Sequence, residues 1–498
     1  MLLPPSLEEL ITPNHPVLVV DKVVDSIDLA PLLKKYKGGG CSSFHPRMLL
    51  KVLIYAYINN IYSSRKIESA LKENIHFMWL SGMSKPDHNT INRFRSERLK
   101  DVLKTLFAQV VLLLNEEGLL NIKELYTDGT KIEANANKYS FVWGKATQKS
   151  KTRIANQLDD IWKYAQSIAK DELEDMEPTD FTAIDSEKVS QTIEKINQAI
   201  GDKPIDKKVK QKINYAKRNW PKKLDEYKNT EEILNKERNS YSKTDNDATF
   251  MRMKEDHMKN GQLKPGYNVQ VSSNNQFIVH YSIHQNPTDT RTLAPHLKTF
   301  EYLYHQKPNL VTADAGYGSE ENYELLSYQN IAAFVKFNTF DKEQKTKLGT
   351  LKQPFLKESL HYNERDDYYV CPMGQHMTFI GIKKDKSSTG FEQTVRLYKA
   401  QNCDGCPLKN KCYKSESTDR IIQRNVNLEK HKTRARNLLL SEEGVMRRKQ
   451  RVIDTEPIFG NIKHNKGFKR FMLRGKHKVE IEWGLLALAH NLKKKAAA

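Results

Sequence analysis

Asn309-Leu310-Val311-Thr312-Ala313-Asp314, followed by Ala315-Gly316-Tyr317-Gly318-Ser319, is the stretch whose reading sets the fold class. Its first half is apolar and β-branched and ends on an acid, which predicts a short buried strand. The glycines that follow predict a turn, and Ser319 stands where it can cap a helix over Glu320 to Tyr328. Ile331 to Phe337 reads as another strand. Upstream, Leu293 to Tyr304 has helical spacing. Tyr267 to Val271 and Phe277 to Ile283 read as strands joined by the turn-like Ser272-Ser273-Asn274-Asn275-Gln276, a hairpin. Earlier still, Leu125-Tyr126-Thr127-Asp128-Gly129-Thr130-Lys131-Ile132-Glu133-Ala134 is a strand that carries an aspartate.

Strand, hairpin, helix, strand, helix, strand is a mixed α/β pattern, the order of a ribonuclease-H-like core. The rest of the 498 residues surrounds it. Residues 1–115 read as helical, with apolar spacing through Met48 to Ile58. A second helix is expected with Ser64 as its N-cap, then a turn at 81–87, then a basic helix around Thr90 to Arg95. Helix, turn and basic helix fit a helix-turn-helix DNA reader, with Arg93 and Arg95 as its cations. Residues 146–240 are rich in Lys, Glu, Asp, Gln and Asn around Ile154, Leu158, Ile161, Trp162 and Ala165. They predict a helical insertion, drawn as an antiparallel hairpin. Residues 341–440 hold short β-like runs and four cysteines, a β-rich insertion. The core therefore takes 120–145, 241–340 and 441–495.

Lys and Arg number 81 against 61 Asp and Glu, a net charge of +20, which points to a polyanionic partner. No apolar run approaches a membrane span, and the acidic start Met1 to Pro13 does not have the form of a signal peptide. Five cysteines in a chain of this length are too few for a disulfide scaffold, so a reducing, cytoplasmic setting is expected.

Three carboxylates could carry chemistry. Asp314 ends a strand beside a glycine turn, where backbone can approach closely, and Asp128 lies in another strand. Two carboxylates from neighbouring strands suit a hard cation such as Mg²⁺ or Mn²⁺, and phosphoryl transfer calls for a third. Glu456, in Asp454-Thr455-Glu456-Pro457-Ile458-Phe459-Gly460-Asn461-Ile462-Lys463, is that third candidate. Lys463 follows it by two helical turns, which predicts a shared face. Pro457 fits a helix that begins near Thr455, and would kink one that runs in from Arg447. Arg447, Arg448, Arg451, Lys463, Lys469, Arg470 and Arg474 crowd the C-terminal stretch, a density that suits phosphate contact.

Cys371, Cys403, Cys406 and Cys412 form a second constellation. A C-x2-C pair with one cysteine nearby and one upstream can offer four thiolates to a zinc ion or to an iron–sulfur cluster. His376 is a possible substitute ligand on sequence grounds. Cys41, in a glycine loop, has no partner nearby in the sequence.

TDGTKIEANANK, KPGYNVQ, TADAGYGSEEN and EPIFGNIK…GFKRFMLRGKHKVEIEWGLLALAHNLKK, in that order, resemble the DDE transposases of bacterial insertion sequences. More narrowly, they resemble the eleven-eighty-two branch of the IS4/IS5-like superfamily. The resemblance implies a catalytic triad of Asp128, Asp314 and Glu456 on a ribonuclease-H-like core. It further implies Mg²⁺ or Mn²⁺ dependence, action on terminal inverted repeats and target DNA, work as a homodimer, and association with the nucleoid. Related transposases carry a Tyr and an Arg before the Glu and a Lys after it. Lys463 matches the Lys, and Arg451 lies one residue from the commonest place of the Arg. Arg447 and Arg448 stand where the Tyr would be. A catalytically silent DNA-binding descendant and a structure-selective nuclease are the alternatives.

Overall fold

A computed structural model describes residues 6–36, 44–169, 181, 183–201, 203–235, 238–253, 261–345, 354–387, 389–414 and 417–498. Cys41 lies outside them.

The N-terminal helices longer than one turn are α1 (Pro16–Ser26), α2 (Pro46–Ile58), α3 (Ser64–Glu73), α4 (Ile75–Leu80), α5 (His88–Arg93) and α6 (Leu103–Glu116). Pro46 opens α2 at its first turn, where no backbone donor is needed, and His45 Nδ1 accepts the Arg47 amide at 3.3 Å. The start of α3 is one residue earlier than its sequence suggests. Ser63 is the N-cap and Ser64 the first helical residue.

β1 (Glu124–Glu133) leads into the short β2 (Phe141–Trp143), and β3 (Ser240–Ser242) pairs back on β2. Between β2 and β3 stand α7 (Gly144–Ile168), α8 (Ser186–Ile200) and α9 (Lys207–Leu234). The described residues thus hold three helices here, not a two-helix hairpin. They bury their own cluster of Leu158, Ile161, Trp162, Ile193, Ile196 and Trp220. A third helix closes the apolar stripe that two charged helices would leave open to water.

Next come β4 (Thr249–Arg252), β5 (Leu263–Asn274), β6 (Phe277–His284), α10 (Leu293–Tyr304), β7 (Leu310–Ala313), α11 (Glu320–Tyr328) and β8 (Ala332–Val335). β5 runs to Asn274, so the β5–β6 loop is only Asn275-Gln276. Both loop residues have positive φ, 51° and 61°, which gives a tight turn matched to strand twist. β1 is central. β5 pairs with it antiparallel and β7 parallel. β6 and β4 share the far edge of β5, and β8 lies parallel beyond β7. An antiparallel meander continued by two parallel strands is a mixed sheet consistent with a ribonuclease-H-like core.

A separate antiparallel sheet follows in the order β13–β12–β11–β10–β9. Its strands are β9 (Tyr362–Asn363), β10 (Tyr368–Val370), β11 (His376–Lys386), β12 (Glu392–Ala400) and β13 (Ile421–Arg424). Its buried cluster is small: Tyr369, Met377, Tyr398, Ala400 and Ile422. The chain then returns through α12 (Val426–Leu440) and α13 (Glu442–Gly460) to α14 (Lys476–Lys495).

α14 explains how the ends of the chain meet. Val479, Ile481 and the run from Trp483 to Ala489 are buried, so the helix is apolar all round. It packs against α2 and α6 on one side and β6 on another. The N-terminal helices and the sheet consequently share one hydrophobic core, not two. The joint also contains buried polar groups. Glu482 accepts the amides of Met472 and Leu473 at 3.0 and 3.1 Å, and burial pushes its carboxyl up to about 7. Lys466 donates to the Tyr57 carbonyl at 3.0 Å, and burial pulls its amine down to about 8.

Candidate active site at the strand ends

Parallel pairing sets Thr127 beside Ala313, so Asp128 and Asp314 are the next residues on adjacent strands. Neighbouring strands lie about 4.8 Å apart, and residues level with each other point to the same face. The two aspartates predicted from sequence are therefore brought together. Asp314 leaves β7 as the N-cap of the 3₁₀ turn Ala315–Tyr317, and its Oδ1 accepts the Gly316 amide at 2.8 Å. Asp128 Oδ1 accepts the Gly129 amide at 2.8 Å, and its Oδ2 lies 3.3 Å from Arg451 Nη1.

The structure adds a carboxylate that sequence reasoning missed. Asp289, in the 3₁₀ turn Asp289–Arg291 after β6, packs on the Asp314 turn, and Thr290 Oγ1 donates to the Gly316 carbonyl at 3.1 Å. Its Oδ1 accepts Asn268 Nδ2 at 2.8 Å and Gln270 Nε2 at 2.9 Å, both from β5. Gln270 stands opposite Gly129 on β1. Only glycines fit between these acids. A Cβ on Gly129 would lie 2.7 Å from Asp289 Oδ1, and one on Gly316 would lie 3.0 Å from Asp314 Oδ1 and 3.4 Å from Asp289 Oδ2. Tyr317 is buried behind them and donates to Gln270 Oε1. Burial first, then the charges of Asp289, Asp128 and Asp314, holds its phenol well above the ordinary range. In the sequence, Asn286-Pro287-Thr288-Asp289-Thr290 has only the composition of a turn. The available signal was the polar alternation of Asn268, Gln270 and Ser272, which is buried on a strand.

α13 packs across β1, β5, β7 and β8. It begins at Glu442, with Ser441 Oγ accepting the Gly444 amide at 3.1 Å, and runs straight through Pro457. It does not start near Thr455. Proline removes the amide that would bond to the carbonyl four residues back, that of Ile453. Gln276 Nε2, from the β5–β6 turn, takes that carbonyl at 3.1 Å instead. The same turn donates the Gln276 amide to buried Asp454 at 2.8 Å, and burial raises the Asp454 carboxyl. Glu456 faces solvent, and its carboxylate has no hydrogen bond or ion pair among the described residues. From Arg451 it lies five residues on, about 7.5 Å along the axis. The expected common face with Lys463 is not formed. After Gly460 the helix widens into a π-turn over Asn461–Asn465, and this turns Lys463 into the protein.

The basic residues divide. Arg447 bonds Glu124 and Tyr126 Oη, Arg448 donates to the Leu439 carbonyl, and Arg451 serves Asp128. Lys469, Arg470 and Arg474 are exposed near the far end of β1, where Arg470 Nε and Arg474 Nε also donate to the carbonyls of Ala134 and Asn135. Arg93 is exposed at the end of α5. Arg95 is not available to DNA. It is 3% exposed and bonds Tyr57 Oη, the Tyr62 carbonyl and Asn92 Oδ1. The π-turn Phe94–Arg98 carries it inward, away from the face a regular helix would give.

Among the described residues, no three or more histidine, cysteine or acidic side chains are gathered into a ready metal cage. The donor chemistry nevertheless fits a hard divalent cation. Asp314 and Asp289 crowd a space that a single methyl group would fill, Asp128 lies on the adjacent strand, and the Glu456 carboxylate is unbonded among the described residues.

Comparison with known families meets both ends of the chain. Residues 370–496 match the model of a transposase DDE domain, and residues 5–97 match that of a transposase domain (DUF772). Glu456 lies inside the first stretch, whereas Asp128 and Asp314 lie outside both. No curated protein and no solved structure matches. DDE-domain transposases are metal-dependent polynucleotidyl transferases that act on DNA. The two matches, with a mixed sheet that sets Asp128 of β1 beside Asp314 at the end of β7, support a DDE-type transposase.

Proposed function

We propose that the chain is a DNA transposase of the insertion-sequence type. It binds terminal inverted repeats, cleaves at element ends and transfers the 3′-OH ends to target DNA, working as a homodimer on paired ends. The observation that carries this reading is that Asp128, in β1, stands beside Asp314, just past the end of the parallel β7, in the part of the sheet that α13 crosses. Asp128, Asp314 and Glu456 would hold Mg²⁺ or Mn²⁺. A pair of such ions supplies charge neutralisation at the phosphate and activates water or a 3′-OH.

The chain's own residues do the rest. Asn268 and Gln270 fix one oxygen of Asp289, which leaves the other turned toward the Asp314 turn. Arg451 pins the Asp128 carboxylate and partly offsets the charge of three nearby acids. Lys469, Arg470 and Arg474 offer cations to the DNA backbone beyond the strand ends. No side chain need be attacked, so cleavage and joining can share one site.

A plasmid that carries the DNA flanking the gene, incubated with protein and Mg²⁺ or Mn²⁺, tests the reading. Nicks and joined products at defined ends, absent with EDTA and with Asp128→Ala, are expected. End binding without any cut would move the assignment to a silent DNA-binding protein. Cutting without preference for ends would move it to a nuclease.

A further inference from the structure

We propose that Cys371, Cys403, Cys406 and Cys412 form a structural zinc site that pins the β9–β13 sheet, independent of the strand-end acids. The four come from three places: the end of β10, the loop after β12, and the short helical turn Lys409–Cys412. All four line one cavity of about 20 Å³, together with Arg420, Lys409 and Tyr413. The sulfurs are not yet closed to coordination distance, since among the described residues no metal cage is preassembled. Hydrogen-bond donors nevertheless converge on three of the sulfurs. The Met373 amide points at Cys371 Sγ at 3.4 Å, the Arg420 amide at Cys403 Sγ at 3.5 Å, and Arg420 Nη1 at Cys412 Sγ at 2.9 Å.

Two turns present the sulfurs. Gly374 and Gly405 have φ of +82° and +68°, which lets Cys371-Pro372-Met373-Gly374 and Cys403-Asp404-Gly405-Cys406 fold tightly. The Gly374 amide bonds the Cys371 carbonyl at 2.8 Å, and the Cys406 amide bonds that of Cys403 at 3.4 Å. His376 is not a ligand. It stacks on Tyr368 at 3.9 Å and does not line the cavity.

A cavity of about the space of one water suits a single ion, and four thiolates suit the tetrahedral preference of zinc. Binding would release the four thiol protons to solvent, with no change of oxidation state. Arg420 and Lys409 would offset the excess negative charge of four thiolates on one Zn²⁺. The sheet has reason to need such a staple. Its buried cluster is five residues, with Cys371 and Cys403 packed against it.

Metal analysis of the full chain, purified without chelator, tests the site whatever the enzymatic activity. About one zinc per chain is expected. Cys403→Ser with Cys406→Ser should lower zinc content at least tenfold, whereas Cys41→Ser should keep it. If the double variant fails to fold, Co²⁺ added to chelator-stripped wild-type protein gives the decisive readout, an intense thiolate-to-cobalt absorption band. No zinc and no such band, zinc retained by a folded double variant, or iron with acid-labile sulfide would each overturn the proposal.

Discussion

Asp128, Asp314 and Asp289 illustrate what single residues reveal and conceal. The first two announce themselves as acids within or at the end of apolar runs. Asp289 does not, because its role depends on a fold that brings a turn after β6 onto a turn after β7. Asp128→Asn and Asp314→Asn should each lower cleavage by roughly 10² to 10³-fold, as loss of a preorganised electrostatic group does. The thermal midpoint of Asp314→Asn should hold or rise, because a like charge is removed, whereas Asp128→Asn also removes the ion-pair partner of Arg451. Gly129→Ala would force a methyl to 2.5 Å from Gln270 Nε2 and 2.7 Å from Asp289 Oδ1. It should cost about 1–3 kcal/mol by overpacking and lower cleavage as well, read by chemical denaturation beside the plasmid assay. Arg95 carries the opposite lesson. A basic residue in a basic helix reads as a DNA contact until a π-turn buries it.

Among the elements, β5–β6, β7 and α11 were legible because strand alternation, turn residues and a capping Ser319 agree with one another. Ser319 Oγ does accept the Asn322 amide, at 3.2 Å. The course of α13 was not legible, because proline at position 457 argues locally for a helix start. The deciding partner is Gln276, far away in sequence, which satisfies the carbonyl that proline orphans. Pro457→Ala should therefore leave α13 in place and stabilise it by up to about 3 kcal/mol, since proline is the poorest interior helix residue. A fall in the thermal midpoint of this variant would show that the ring itself is needed there. The π-turn at 461–465 was likewise invisible, because a seven-residue spacing speaks only for regular helix.

On the scale of the whole molecule, the sequence reads as separate helical and α/β units, yet α14 welds its two ends into one core. An apolar helix gives no sign of which surfaces will cover it. The weld includes Glu482, whose carboxyl is raised from its ordinary 4.5 to about 7 by burial. A raised carboxyl contributes full stability below the unfolded value, and that contribution is lost as pH rises through the folded value. Wild-type stability should thus decline between about pH 4.5 and 7 on this account, and Glu482→Gln should flatten the decline. Denaturant midpoints at steps across that range check it, and parallel curves for the two proteins would contradict the role assigned to Glu482.

On the proposed function, Asp128 and Asp314 bind a divalent cation directly. A metal-preference switch addresses it most directly, because sulfur favours Mn²⁺ over the harder Mg²⁺. Cleavage by Asp128→Cys and by Asp314→Cys should be lost in Mg²⁺ and restored in part by Mn²⁺, with wild-type protein active in both. Folded cysteine variants that stay equally inactive in both metals, or equally active in both, would contradict direct ligation by these two aspartates.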